Sequence, residues 1–179
     1  MIIGITGHKF SGKSTVTDIL ARQTGYEVRS FASLLKEMVA RLSGCNIKDL
    51  ENFKFKEEAI VPPHLWAYCS NDSHTYRSLL QGLGDLFRSK NENIFIDEIF
   101  KDCPQNVIIS DCRFENEGNA IKDRGGKIIR VVRSGIATTD EHKSELEVGA
   151  VEQDFTIYNN GTMGQLTHNV LMVIDMLGI

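Results

Sequence analysis

Short apolar runs alternate with segments of helical periodicity along most of this chain. Four runs have the length and β-branched content of buried strands, and a weaker fifth lies near the carboxyl end. Between them, apolar residues recur every three or four positions, which is typical of helices with one buried face. The predicted strands are Ile2–Thr6, 26–31, 107–110, Lys127–Val132 and Phe155–Tyr158, and the predicted helices are 14–23, 34–42, 75–89 and 163–177.

Strand and helix alternate, so we expect an α/β fold. In it, helices cover both faces of a central parallel sheet of about five strands, which makes three layers. Residues 45–103 interrupt the alternation with mostly helical, strongly charged sequence, and Pro62-Pro63 marks a turn within them. We interpret this segment as a helical insertion. No internal repeat or Gly/Ser-rich linker marks a second domain, so we expect residues 1–179 to form one domain.

Composition narrows the classes of partner. The 179 residues include 20 basic and 24 acidic side chains, a formal charge of −4, and lack the basic excess typical of proteins that bind a nucleic-acid polymer. The apolar start at Ile2–Thr6 is too short for a membrane span and has no basic leader. The four cysteines show no zinc-site spacing, and we interpret them as reduced thiols of a cytoplasmic protein.

A phosphate-binding loop is predicted near the amino end. Residues 7–14 read GHKFSGKS, fit the pattern GxxxxGK[ST], and lie between a predicted strand and a predicted helix. Backbone amides and the helix start are expected to bind phosphates, Lys13 to reach the β- and γ-phosphates of ATP, and Ser14 to bind Mg²⁺. The alternative is a Gly-rich turn without a ligand. The predicted nucleotide-binding residues here are Gly7, Lys9, Ser11, Gly12, Lys13, Ser14 and Thr15.

The next chemical signal is an acid at the end of an apolar run. Residues 107–111 read VIISD, and Asp111 is therefore expected to hold Mg²⁺ directly or through water. Alone, an acid in this position is more often a helix cap or turn residue, so the prediction depends on its pairing with the P-loop. Arg113 follows two residues later and could point into the same site, although a surface ion pair is the alternative.

Polar residues form a stripe on the predicted helix 75–89. Arg77, Gln81, Gly84 and Arg88 share one side at helical spacing, so they could line a groove for an anionic ligand. A solvated helix face is the alternative. Lys36 lies in the first turn of another predicted helix, for which Ser33 is a candidate N-cap, and a cation there opposes the helix dipole. This mismatch suggests an anionic partner, and a plain surface lysine is the equal alternative.

Residues 134–147 have the polar, glycine-bearing character of a closing lid. Lids of this kind exclude water and complete a phosphate clamp, and Arg130, Arg133 and Lys143 are the cations that could take part. His142 has no nucleophile or metal partner nearby in sequence, and we interpret it as structural.

Several of these segments together resemble the phage-type deoxynucleoside monophosphate kinases, within the broader group of P-loop nucleoside monophosphate kinases. The P-loop itself is generic, whereas LLQGLG and SDCRFENE are more specific. The likeness covers most of the chain. It is carried by residues 7–14, Ser30-Phe31-Ala32 with Lys36, residues 79–84 with Arg88, residues 110–117, DEHKSE at 140–145, and YNNGT at 158–162.

The resemblance implies a P-loop kinase fold in which the nucleotide binds at the carboxyl ends of the strands and the acceptor binds beneath the helical insertion. It also implies that Asn159 and Gly161 pass beside the adenine ring. The lid is not arginine-rich, unlike those of similar enzymes. The resemblance further implies that Lys36, Arg77, Arg88 and Arg113 serve the acceptor phosphate and the transferring group. Together with the motifs above, the predicted catalytic residues are Lys13, Arg88, Asp111 and Arg113, and the predicted acceptor-binding residues are Lys36, Arg77, Gln81, Arg88 and Arg113.

These observations lead to one main hypothesis and two rivals. The main hypothesis is in-line transfer of the ATP γ-phosphoryl group to a deoxynucleoside monophosphate, in the cytoplasm, or in the host cytoplasm if the gene is phage-borne. One rival is a P-loop kinase for another small acceptor, such as dephospho-coenzyme A or phosphomevalonate. The other is a nucleotide-dependent switch protein, against which stands the absence of a guanine-reading NKxD segment. The sequence leaves a homodimer open.

Overall fold

The computed structural model describes residues 1–135 and 147–179. Spatial contacts divide the chain into two compact units, which are described separately below. The first unit comprises Met1–Phe31 and Ile99–Ile179, and the second unit comprises Ala32–Glu98. The expected insertion, residues 45–103, overlaps most of the second unit. That residues 1–179 act as one domain stays a prediction.

The first unit contains a parallel sheet, as predicted. Its strands are β1 (Ile2–Thr6), β2 (Glu27–Arg29), β3 (Val107–Ile109), β4 (Lys127–Val132) and β5 (Phe155–Tyr158). Their order across the sheet is β2-β3-β1-β4-β5, and every pairing is parallel. Because all the strands run the same way, the turns that follow them meet at one edge of the sheet. We call this edge the carboxyl edge.

The four predicted helices are present in the described ranges, together with three helices that were not predicted individually. None of them is both long and apolar enough to cross a membrane. Short 3₁₀ turns occupy Ile47–Glu51, Pro63–Tyr68 and Glu147–Ala150. The α-helices are α1 (Lys13–Thr24), α2 (Ser33–Ser43), α3 (Phe53–Glu58), α4 (Tyr76–Lys90), α5 (Ile94–Lys101), α6 (Glu115–Lys122) and α7 (Met163–Leu177).

Helices cover both faces of the sheet, because successive strand residues point to opposite sides. Ile3 and Ile5 of β1 belong to a buried cluster that also includes Leu20 of α1 and Val170 of α7. Gly4, between them, faces α6, where a Cβ would lie 2.7 Å from Ile121 Cδ1. A larger residue here would therefore displace the Ile121 side chain of α6. The expected three-layer α/β architecture is confirmed.

The second unit is helical. Helix α4 packs against α2, α3 and the 3₁₀ turn Pro63–Tyr68. Thr75 caps α4, and its hydroxyl accepts the amide of Ser78 at 3.3 Å. On the side of α4 that meets the 3₁₀ turn, a Cβ on Gly82 would lie 2.1 Å from the carbonyl oxygen of Tyr68. This glycine of the LLQGLG segment is therefore explained by backbone packing.

Two expectations need correction. The strand expected at 26–31 is limited to Glu27–Arg29, because β2 is an edge strand whose Val28 is 45% exposed and gains little from burial. Ser33 is also not the N-cap of α2. Helix α2 begins at Ser33, and the cap position is held by Ala32, which makes no side-chain hydrogen bond.

Asp154 supplies a pH-dependent contact at the start of β4. Its carboxylate accepts the Ile128 amide at 2.8 Å and the Lys127 ammonium at 2.9 Å. Burial alone would raise the pKa of Asp154, but these two donors outweigh burial and lower the pKa. A carboxylate whose pKa is lower in the folded chain stabilises the fold above its unfolded pKa, and this stabilisation is lost as the pH falls through the folded value.

We therefore predict that Asp154→Asn lowers the free energy of unfolding by about 1 kcal/mol at pH 7. The difference from the parent should shrink as the pH falls below about 4, near the pKa of an unfolded aspartate. Urea denaturation across this pH range measures both values. Asp18→Asn, at an exposed position of α1, is the matched control. A deficit that stays constant down to pH 2 would contradict the assignment.

Candidate nucleotide-binding site

The turn between β1 and α1 is curled by three residues with positive φ angles. These are Gly7 at 142°, Phe10 at 64° and Gly12 at 101°. Residues of this kind, interspersed with ordinary ones, turn successive backbone amides toward one side and form an anion-binding concavity. A Cβ on Gly7 would lie 2.4 Å from the carbonyl oxygen of Val131, so the loop can follow this path only with glycine there. The backbone therefore fits a phosphate.

Lys13 lies folded back across this loop. Its ammonium donates to the carbonyl oxygens of Gly7 at 2.6 Å and His8 at 2.8 Å. Both acceptors are neutral, and a phosphate oxygen would make a stronger, charge-assisted hydrogen bond with the same group. The positive charge is thus held where the sequence predicts the nucleotide phosphates.

Asn159 braces the same loop from the end of β5. Its side-chain amide donates to the carbonyl oxygen of Ser11 at 2.9 Å, and a Cβ on Gly12 would lie 2.3 Å from that amide nitrogen. The sequence predicts only that Asn159 lies beside adenine, and it did not reveal this contact. Gly161 lies in the next turn, where a Cβ would lie 2.1 Å from Gln165 Oε1. That these two residues contact adenine stays a prediction.

Asp111 ties two strand ends together. Its Oδ2 accepts the Ser30 hydroxyl at 2.6 Å, and its Oδ1 accepts the Phe31 amide at 2.8 Å. The carboxylate lies at the carboxyl edge, just beyond β3, and anchors the segment that follows β2. A carboxylate can accept several hydrogen bonds, so this anchoring is compatible with the metal role of Asp111, which stays a prediction. The structure thus gives Asp111 an anchoring role in addition to the predicted metal role.

Oxygen donors suited to Mg²⁺ are present at this edge. Ser14, in the first turn of α1, is exposed, and Asp111 lies on the neighbouring strand end. A hydroxyl, a carboxylate, water and substrate phosphates form the usual Mg²⁺ ligand set. Within the loop, the buried Ser11 hydroxyl has no hydrogen-bond partner among the described residues, which leaves it available to a ligand. The residues present therefore fit a nucleotide with Mg²⁺.

The remaining predicted loop residues lie close to this edge as well. The Lys9 ammonium lies 5.4 Å from the ring centroid of Phe10, whose side chain is 58% exposed. Thr15 is half-buried in the first turn of α1.

Comparison with known proteins gives the family. The family model described as deoxynucleotide monophosphate kinase matches residues 44–170, well over half of the chain. The chain belongs to the deoxynucleotide monophosphate kinase family. A protein of Acanthamoeba polyphaga mimivirus, provisionally named a deoxynucleotide monophosphate kinase, is 31% identical over 193 aligned positions, which cover 98% of this chain and 96% of the relative.

Two further likenesses are more partial. The deoxynucleotide monophosphate kinase of Escherichia phage RB69 is 28% identical over 114 positions, which cover 58% of this chain and 46% of the phage protein. The solved shikimate kinase of Acinetobacter baumannii aligns with a TM-score of 0.50 at 14% identity, over 99% of this chain and 94% of that one. At this identity the likeness shows a shared fold alone. The expected resemblance and the kinase fold are confirmed.

In the second unit, the predicted acceptor-binding cations contact acidic and aromatic side chains. The Lys36 ammonium pairs with Glu51 Oε1 at 2.8 Å. Arg77 pairs with Glu57, and its guanidinium lies 6.0 Å from the ring centroid of Phe53. The roles of Lys36 and Arg77 toward an acceptor stay predictions.

The three other residues of the predicted stripe also lie on α4. The Arg88 guanidinium lies 4.8 Å from the ring centroid of Phe95, and its Nη1 would lie 3.1 Å from a Cβ on Gly84. The buried Gly84 thus lets Arg88 lie flat against the helix. Gln81 accepts the Ser70 hydroxyl at 3.4 Å, which directs it toward the loop after the 3₁₀ turn. Their contact with an acceptor likewise stays a prediction.

Arg113 lies where β3 passes into α6, and its side chain is half-buried. Its backbone amide donates to Glu117 Oε2 at 2.8 Å. Burial raises the pKa of the neighbouring Cys112 thiol well above its usual value, the charges of Glu117 and Asp111 raise it further, and Arg130 opposes them. The Cys112 side chain is buried, with 1% of the residue exposed. The sequence did not single out Glu117, because the N-cap before it is a phenylalanine and the usual capping signal is missing.

The lid predicted at 134–147 lies largely outside the described residues, which end at 135 and resume at 147. Lys143 and His142 fall in that range, so their predicted roles are not tested. The Arg130 guanidinium, another candidate lid cation, donates to the carbonyl oxygens of Val148 and Val151 and to Gln153 Oε1. These bonds fix the chain that leads into β5.

The geometry of the loop gives a matched pair of glycine variants on α1. We predict that Gly12→Ala weakens ADP binding at least about tenfold, because a Cβ displaces Asn159 and the loop it braces. Gly25→Ala is the control, since Gly25 caps the other end of α1 at a φ of 70° with nothing within 4 Å of the added Cβ. Both variants should lose about 1 kcal/mol of stability to backbone strain.

Isothermal titration calorimetry with ADP and Mg²⁺ measures the affinities, and thermal unfolding measures the strain. Equal affinity in the two variants would show that the Asn159 contact does not support nucleotide binding.

Proposed function

We propose that this chain transfers the γ-phosphoryl group of ATP to a deoxynucleoside monophosphate, giving a deoxynucleoside diphosphate and ADP. The observation that carries the proposal is the P-loop, curled by its glycines and spanned by Lys13, in a chain of the deoxynucleotide monophosphate kinase family. The relatives' names supply the acceptor class. Cytoplasmic location belongs to the same proposal.

The P-loop binds the phosphates of ATP in this reaction. Its backbone amides bind the phosphate oxygens, and Lys13 exchanges the Gly7 and His8 carbonyl oxygens for the β- and γ-phosphate oxygens. The exchange replaces neutral acceptors by anionic ones, so it favours the bound state. Mg²⁺ bound by Ser14 and Asp111 would neutralise charge on the transferring phosphates. Asp111 meanwhile keeps Ser30 and Phe31 in place at the same edge.

Acceptor binding requires cations but no general base. The attacking group is a phosphate oxygen that is already ionised near neutral pH, so the protein must align it and offset repulsion between two anions. We assign this task to Lys36, Arg88 and Arg113, with Gln81 and Arg77 in supporting positions. The planar guanidinium suits bidentate binding of phosphate oxygens.

The first experiment is an ADP-release assay with ATP and Mg²⁺ against a panel of acceptors. The panel contains deoxynucleoside and ribonucleoside monophosphates, dephospho-coenzyme A, phosphomevalonate and a no-acceptor control. We expect turnover with one or more deoxynucleotides well above the control. Turnover with dephospho-coenzyme A or phosphomevalonate alone would favour the rival kinase, and slow ATP loss that ignores every acceptor would favour the switch protein.

A lysine variant tests the loop itself. Lys13→Ala should lower kcat at least about a hundredfold with the fold intact, because the charge on the transferring phosphate loses its main side-chain partner. Lys122→Ala is the control and should retain full turnover. Lys122 is the last residue of α6, and the change removes only its pair with the exposed Glu152. Circular dichroism verifies folding. An active Lys13→Ala enzyme would contradict the assigned role.

An arginine variant tests the acceptor side. Arg88→Met removes the charge but keeps an unbranched chain against Phe95, so we expect the KM for the acceptor to rise about tenfold or more while the KM for ATP stays within twofold. Arg41→Met, at an exposed position in the last turn of α2, is the control. A rise in the KM for ATP instead would move Arg88 to the donor side.

A further inference from the structure

Glu117 is a charged residue in the interior of the protein. Among the residues that the structure describes, it is the one charged residue that is buried, with 3% of its surface exposed. A carboxylate removed from water costs several kcal/mol unless hydrogen bonds replace its hydration. Such a group is retained only where its contacts are needed.

Two hydrogen bonds of the Glu117 carboxylate go to the backbone just after β3. Its Oε2 accepts the amide of Arg113 at 2.8 Å and the amide of Phe114 at 3.2 Å. Phe114 is the N-cap of α6, so the second bond is a helix cap. The first bond reaches one residue further back, to the residue that we assign to the acceptor phosphate.

The two bonds of Glu117 follow a series of backbone hydrogen bonds that hold the turn after β3. The Ser110 amide donates to the carbonyl oxygen of Arg29 at 2.9 Å, and the Cys112 amide donates to that of Ile5 at 3.0 Å. These two bonds extend the pairing of β3 with both its neighbours. Beyond Cys112 the ladder ends, and Glu117 takes the next two amides.

We propose that Glu117 is a positioning residue for phosphoryl transfer, which fixes the backbone at Arg113 and thereby the direction of its guanidinium. The proposal rests on the proposed function. A helix cap alone would explain the Phe114 bond and a loss of stability, but it would not link Glu117 to the catalytic contribution of Arg113. That link is what the test measures.

The test compares Glu117→Ala with Glu117→Gln in the full chain. Glutamine keeps an acceptor oxygen for the two amides, so its kcat should stay within about threefold of the parent. Alanine leaves both amides without it, and a small displacement of Arg113 should lower kcat by about 10- to 100-fold, with ADP affinity unchanged within twofold. Rescue by glutamine would show that the hydrogen bonds matter, rather than the charge.

Asp154→Ala is the matched control, because Asp154 is also a carboxylate that accepts a backbone amide, but at the start of β4 and away from the P-loop. It should lower the melting temperature without changing kcat per folded molecule. A loss of turnover in Asp154→Ala equal to that in Glu117→Ala would reduce Glu117 to a stabilising role and overturn the proposal. So would a Glu117→Ala enzyme with kcat within threefold of the parent.

A double-mutant cycle with Arg113→Ala gives the decisive comparison. If Glu117 acts through Arg113, Glu117→Ala should have little further effect on kcat in the Arg113→Ala background. Fully additive losses would overturn the proposal. Should Glu117→Ala fail to fold, Glu117→Asp, whose shorter side chain cannot reach both amides equally, replaces it in the same cycle. Absence of turnover in the parent would overturn the proposed function, and the role of Glu117 with it.

Discussion

The structure of the first unit depends on how backbone amides and carbonyls find hydrogen-bond partners at the carboxyl edge, where the parallel strands end. Between neighbouring strands, backbone amides and carbonyls pair in ladders, but at the carboxyl edge the ladders stop and the chain must turn. Side chains from adjacent turns take over at that point. Asn159 holds the P-loop through the Ser11 carbonyl, and Asp111 holds the Phe31 amide. These bonds cross between strand ends, so the turns support one another.

The same bonding of turns orients the charge of the P-loop lysine. The Lys13 ammonium donates to two loop carbonyl oxygens, which holds it across the loop. The arrangement costs little to undo, since a phosphate offers better acceptors in the same direction. Preorganised charge of this kind contributes more to phosphoryl transfer than a mobile surface lysine, because less reorganisation remains for the reaction step.

Much of the fold could be predicted from periodicity and motif context. Strand β4 and the P-loop were found where the sequence placed them, because a continuous apolar run and a glycine pattern are local signals. The length of strand β2 was overestimated, since the apolar side chain of Val28 does not tell whether other residues bury it. The contacts of Asn159 could not be predicted, because its partner Ser11 lies 148 positions away in sequence. Glu117 escaped notice for a different reason, namely that its cap partner is not a hydroxyl residue.

The exposure of their acid partners indicates which of Lys36 and Arg77 can more easily bind a phosphate instead. The side chain of Lys36 is 17% exposed, whereas that of its partner Glu51 is 66% exposed. Pairs with one exposed member are worth little, about 0–1 kcal/mol, so a doubly charged phosphate can displace Glu51 at small cost. In the pair between Arg77 and Glu57 the side chains are 21% and 30% exposed, so this acid is far more enclosed than Glu51, and the Phe53 ring adds to the contact. Breaking that pair leaves a partly desolvated charge behind, so Lys36 is better suited to change partners and Arg77 to hold α3 against α4.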